Sequence, residues 1–160
     1  MDILLGSQNF EKDRKTFFKI KILFWLLAAP DGHGKNFSIF LKKDNEFSLT
    51  PIYDVMSAYP IIGKSQHQIP SQKLKIAMAV YGKNKNYHWG KIKIRHWVET
   101  GKICGFTEKH VKDIIDEIVS CFLGTMEKVE DEIPDGFNNE VASLILQGVK
   151  GSFNKLKEGE

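Results

Sequence analysis

The sequence predicts a mainly α-helical domain carrying one small β-hairpin. Segments at about 9–28, 92–103, 108–130 and 139–156 have helix-forming composition and apolar residues at helical spacing. One stretch, 37–50, alternates across a turn signal as a hairpin does. The chain has 160 residues, 42% of them hydrophobic and 27% charged, which suits one soluble domain with a real core.

Taken in order, Asp2 to Gly6 reads as the tail of an element that begins upstream. Asn9 to Ala28 lacks Gly and Pro, and its second half is apolar on nearly every side, so it should be a central core helix that Pro30 stops. The loop at 31–36 then hangs from a rigid buried element. Phe37–Leu41 and Glu46–Leu49 flank Lys43-Asp44-Asn45 as two strands around a turn, and Thr50-Pro51 ends the hairpin before Ile52-Tyr53-Asp54. Residues 60–70 read as a surface loop. Gln72–Val80 fits a short helix or a strand equally well. Lys83–Trp89 reads as a polar, mobile connection. Ile92–Ile103 is a helix ending near Gly105. Thr107 is a suitable N-cap for the amphipathic helix from 108 to about 130. Pro134-Asp135-Gly136 is a turn, and a last helix runs from Asn139 to about Leu156, with fraying expected over Lys157–Glu160.

Composition narrows the function only slightly. The net charge of +3 names no partner. Two cysteines without a C-x-x-C pair suit a reducing compartment and argue against a disulfide or zinc framework. The start Met1-Asp2 has no signal-peptide pattern, and the longest apolar run, Ile22–Ala29, is too short to span a bilayer. A cytoplasmic protein that does not engage a membrane is expected.

Chemistry concentrates in Asp31-Gly32-His33-Gly34-Lys35-Asn36, with Asp54 as a delayed partner. Asp31 and Asn36 stand five positions apart, as in the Asp-x-x-x-x-Asn loop of phosphoryl-transfer kinases. Such a loop aims a carboxylate at a substrate hydroxyl and a neutral oxygen ligand at magnesium, and the cation needs a second, anionic oxygen from elsewhere. Asp54 supplies it if 37–53 folds back. The expected roles are catalytic base for Asp31 and metal ligand for Asn36 and Asp54. Lys35 would support phosphate, and His33 would steady the loop through hydrogen bonds. Each has a plainer reading: a turn aspartate, a locally satisfied asparagine, a helix N-cap at Asp54, a solvated lysine. The helix before, the hairpin after and Tyr53-Asp54 at its end favour the functional reading. The remaining histidines, His67, His88, His96 and His110, have no metal-ligand spacing. Between Ser71 and Val98, the cations Lys73, Lys75, Lys83, Lys85, Lys91, Lys93 and Arg95 are interleaved with aromatics, and no acidic residue interrupts them. That pattern fits a solvated face, or contact with nucleic acid or a partner.

Phe24-Trp25-Leu26-Leu27-Ala28-Ala29-Pro30-Asp31-Gly32-His33-Gly34-Lys35-Asn36-Phe37-Ser38 resembles the signature of the HipA-type toxin kinases of bacterial toxin–antitoxin systems. So do Leu49–Pro60 and, less specifically, Lys73–Met78 and Arg95-His96. The resemblance implies the helical C-terminal lobe of a protein-kinase-like fold over residues 1–160, with the catalytic loop at 30–37, the hairpin at 37–50 and the metal-binding aspartate at 54. It implies a serine/threonine kinase using ATP and Mg2+, with Asp31 as base and Asn36 and Asp54 as magnesium ligands. It also implies a helix-turn-helix (HipB-like) antitoxin as partner, DNA contact through that complex, and a protein substrate, which in the best-known members is an aminoacyl-tRNA synthetase. Pro30 stands where eukaryotic kinases carry arginine, and Val55-Met56 replaces their Phe-Gly; both departures are as expected for this family.

A working kinase also needs a phosphate-covering loop, a strand lysine and its glutamate partner, all before the catalytic loop. Only thirty residues precede Asp31, most in one helix, with no glycine-rich loop. The N-terminal ATP-binding lobe is therefore expected to be absent from this chain. A separate N-lobe chain is one source for it, and weak or no ATP turnover is expected without it. A non-catalytic module engaging an antitoxin or DNA is the rival expectation.

Overall fold

The computed structural model describes residues 1–159. Helix α1, Phe10–Leu26, is the axis, as its apolar circumference predicts. One face buries Phe18, Ile22, Trp25 and Leu26 in the main core, against Trp97, Val111, Ile114 and Phe153 from the later helices. Another turns Ile20 and Phe24 into a smaller cluster with Ala29, Phe37, Leu49, Ile52 and Val55. Each large side chain so buried contributes about 1.5–3 kcal/mol before the entropy of ordering is charged against it. The two clusters share one helix, so the segment 29–55 is fastened to the rigid body of the domain.

Helix α1 ends earlier than Pro30 requires. Ala28 adopts a left-handed conformation, φ 48°. Its N–H donates to the Trp25 carbonyl at 3.0 Å, and that of Ala29 to the Phe24 carbonyl at 2.8 Å. This is a Schellman stop with alanine in the place glycine usually takes, and it corrects the expected end at Ala28.

Strands β1, Ile39–Leu41, and β2, Phe47–Leu49, pair antiparallel with Ile39 opposite Leu49 and Leu41 opposite Phe47. Asp44 and Asn45 both have positive φ, 59° and 60°. A tight primed turn needs this, and short polar side chains tolerate it. Helix α1 holds the hairpin through Asp13, a buried carboxylate. It accepts from the Ser7 hydroxyl and from the Leu49 backbone N–H at 2.8 Å.

A second hairpin corrects the expectation of only one. Strand β3, Lys75–Tyr81, resolves the ambiguous stretch, and β4, Lys85–His88, lies where a mobile connection was expected. Lys75 pairs with His88 and Tyr81 with Lys85. Leu74, Ile76 and Val80 are buried while Lys75 and Ala77 are exposed, so one face of the ribbon is in water. The polar composition of β4 follows from that exposure.

Helix α2, Ile94–Ile103, packs on β3, and the Tyr81 N–H donates to Thr100 Oγ1 at 2.7 Å. Helix α3, Glu108–Asp131, starts on Thr107, whose hydroxyl accepts from the His110 N–H. Helix α4, Asn139–Glu158, starts on an Asn138 cap and stops on Gly159 at φ 82°. It is helical through Glu158 where fraying was expected, and Glu160 lies outside the described residues. Phe122 and Phe153 stack between α3 and α4 with ring centroids 3.6 Å apart. The Tyr59 ring lies over Gly148, where a Cβ would come within 2.2 Å of it. The Tyr59 hydroxyl donates to the Leu26 carbonyl at 2.8 Å and lies 2.7 Å from Ser152 Oγ. Among the described residues no helix is long and apolar enough to cross a membrane.

Candidate active site

The loop after α1 has little freedom. A Cβ on Gly32 would lie 2.1 Å from the buried Phe24 ring, so the chain passes Phe24 at a distance only glycine allows. The His33 N–H donates to the Asp31 carbonyl at 2.7 Å, and Gly34–Asn36 form one tight helical turn. That turn sends the Asn36 side chain inward, to 3% exposure.

Asn36 meets Asp54 there. Its Nδ2 donates to Asp54 Oδ2 at 2.9 Å and lies 3.5 Å from the Asp54 carbonyl. The fold-back of the first hairpin thus joins two residues eighteen positions apart. Asp54 itself has φ 55°, a left-handed backbone that costs a non-glycine residue about 1–3 kcal/mol and recurs at functional sites. Residues 55–58 form no helix, so Asp54 is not an N-cap.

Asp31 is half exposed at the mouth of the loop, its Oδ1 3.3 Å from His33 Nε2. His33, expected to steady the loop, brings its ring to the Asp31 carboxylate. His33 Nδ1 is buried without a partner. The Lys35 side chain is exposed, and its carbonyl accepts from the Tyr53 hydroxyl at 3.2 Å. The same hydroxyl lies 2.7 Å from Ser38 Oγ. Tyr53, the residue before Asp54, therefore clasps the segment that carries Asp54 to the loop. Sequence reasoning used Tyr53 only as a marker; its place beside Asp54 was the available signal.

Asn36 Oδ1 is buried and has no hydrogen-bond partner among the described residues. Rotating the amide would turn two oxygens, one anionic, toward a common point, and a cation there would take the place the Nδ2–H now fills. Two hard oxygens suit magnesium that draws its other ligands from phosphates and water. Among the described residues no group of three or more His, Cys, Asp or Glu could hold a metal by itself. Lys73, Lys75, Lys91, Lys93 and Arg95 are all exposed around the second hairpin and the start of α2, and among the described residues no hydrogen bond or ion pair ties them to Asp31, Asn36 or Asp54.

Comparison with known proteins agrees with this architecture. A curated Haemophilus influenzae protein named "Putative kinase" is 28% identical over 138 residues, 84% of this chain and 39% of its own length. The solved HipA toxin of Shewanella oneidensis, in a complex with HipB and operator DNA, superposes with a TM-score of 0.75 over 98% of this chain and 34% of its own. At 15% identity that likeness concerns the fold. The chain thus spans about two fifths of one relative and one third of the other. The family described as "HipA-like C-terminal domain" matches residues 1–126, from the first turn through most of α3, and it is to this family that the chain belongs.

Proposed function

We propose that this chain is the catalytic C-terminal lobe of a HipA-like toxin kinase, transferring the γ-phosphate of ATP to a serine or threonine of a protein. The observation that carries the reading is the Asn36–Asp54 pair, 2.9 Å apart, at the end of the loop that bears Asp31. In this reading Asp31 orients the substrate hydroxyl and takes its proton as the oxygen attacks the γ-phosphorus and ADP departs. His33, 3.3 Å from Asp31, aims that carboxylate. Asn36 Oδ1 and the Asp54 carboxylate would hold magnesium, which would supply charge neutralisation at the phosphates when bound. Lys35, exposed on the same loop, would neutralise charge on the transferred group. An aminoacyl-tRNA synthetase is the substrate class the family resemblance suggests, and a HipB-like helix-turn-helix antitoxin the partner, with DNA reached through that complex.

Phosphoryl transfer in this reading needs an N-terminal ATP-binding lobe, supplied upstream or as a separate chain. The test adds that lobe to the purified chain and follows transfer from radiolabelled ATP. Transfer should appear only with both parts and vanish in Asp31→Asn. Robust transfer by the chain alone, lost in Asp31→Asn, would refute the dependence on a second lobe.

The exposed cations of the second hairpin favour a second reading, a binding module without catalysis. Antitoxin or DNA binding unaffected by Asp31→Ala, with no transfer even after the lobe is added, would select it.

A further inference from the structure

The turn between β3 and β4 and the first turns of α2 form an open cavity of about 360 Å³. It is built mainly of donors. Lys83 and Arg95 line it, both exposed and neither in an ion pair among the described residues. The lining carboxylate, Glu99, is engaged by Lys102 at 2.9 Å. The third donor is His96, only 8% exposed. Its Nδ1 accepts from the Lys93 backbone N–H at 3.0 Å, so the neutral ring carries its proton on Nε2. Burial, with Arg95 and Lys93 nearby, lowers its pKa.

His96 lines the cavity beside Gly82, and its Nε2 has no hydrogen-bond partner among the described residues. A Cβ at Gly82 would stand 2.7 Å from His96 Cδ2 and 3.2 Å from Nε2, so glycine keeps the space before the imidazole open. The turn is braced by Asn86 Nδ2, which donates to the Asn84 carbonyl at 2.9 Å.

We propose that this cavity binds a phosphate group, held by the Arg95 guanidinium, the Lys83 ammonium and the His96 Nε2–H. A guanidinium fork with two further donors suits a tetrahedral oxyanion with several acceptor oxygens. Lys85 and Lys93, exposed nearby, raise the positive potential around it. The phosphate can belong to a small molecule or to a nucleic-acid backbone, and the inference does not depend on kinase activity.

The test is a calorimetric and NMR titration of the whole chain with inorganic phosphate, chloride holding ionic strength constant. One saturable site is expected, with shifts centred on Gly82, Arg95 and His96. Arg95→Gln should weaken binding about tenfold or more, as loss of a charge-assisted hydrogen bond does. Lys83→Gln should weaken it several-fold, and Lys73→Gln, outside the cavity, should leave it unchanged. Both cavity substitutions are on exposed side chains, so folding is not at stake. A short duplex DNA distinguishes the sources. If the site takes a backbone phosphate, the duplex displaces inorganic phosphate, and Arg95→Gln weakens its binding more than Lys73→Gln. If it takes a small phosphate, displacement fails. Non-saturable binding, or equal losses in Arg95→Gln and Lys73→Gln, would overturn the proposal, since either describes a diffuse basic surface.

Discussion

Replacing Asp13 with alanine should weaken the joint between α1 and the strand that leads to Asp54. Asp13 is 7% exposed and accepts from the Leu49 N–H at 2.8 Å and from the Ser7 hydroxyl. Ser7 keeps a second acceptor, the Phe47 carbonyl at 3.2 Å, so its loss is small. The Leu49 N–H keeps none in that direction, and a stranded buried donor costs about 1–3 kcal/mol. With the small void, about 2–3 kcal/mol is expected, or a Tm drop of roughly 4–10 °C for a domain of this size. Asp13→Asn should cost about 1 kcal/mol, because both bonds fall on Asp13 Oδ2 and an amide oxygen placed there still accepts from Leu49 and Ser7, losing only the strengthening that the carboxylate's charge gives. Calorimetry of both variants, with the Leu49 amide shift as a local probe, checks the ordering. An alanine variant as stable as the parent, or an asparagine variant as damaged as the alanine one, would refute the hydrogen-bond account.

Gly148→Ala should destabilise by about 1–3 kcal/mol in chemical denaturation, since its methyl would enter the space of the Tyr59 ring and overpacking has that cost. Burial pushes the Tyr59 hydroxyl up to about 12, against a partial offset from Ser152. Its folded pKa is above the unfolded one, so its contribution is intact below pH 10 and is lost as pH rises toward about 12. Ultraviolet titration should find one tyrosinate appearing late, and that late component should be missing in Tyr59→Phe. Glu117 on α3 pairs with Lys19 and Lys15 of α1, and these bonds hold its carboxyl down at about 2. The depressed value means its contribution is present above about pH 4.5 and is lost as pH falls toward 2. The pair is exposed, so Glu117→Gln should cost less than about 1 kcal/mol at neutral pH and flatten that acid limb.

Much of this molecule was legible in its residues. The apolar circumference of Ile20–Leu26 marks a helix shared by two clusters, and Lys43-Asp44-Asn45 marks a tight turn. The Asp31, Asn36 and Asp54 spacing led to a pair that the fold does bring together. The misses have local causes. Leu74, Ile76, Met78 and Val80 follow strand period, but Lys75, Ala77 and Ala79 between them, and Met78 itself, are helix formers, which blurred the pattern. Strand β4 is polar because it faces water, so no hydrophobic signal marked it. Ala28 stops α1 in a conformation whose usual sign is glycine. The Tyr53 clasp depends on a hydroxyl reaching two groups that only the fold-back brings near, so spacing could not reveal it.

The claim on which the function rests is that Asn36 and Asp54 form one divalent-cation site beside Asp31. A Mn2+ titration of the whole chain, read by paramagnetic broadening of backbone amides, tests it directly. Broadening should centre on Asn36 and Asp54, extend to Asp31, and weaken at least tenfold in affinity in Asp54→Ala and in Asn36→Ala, as loss of a ligand does. Broadening scattered over the acidic surface of α3, or unchanged in Asp54→Ala, would contradict it.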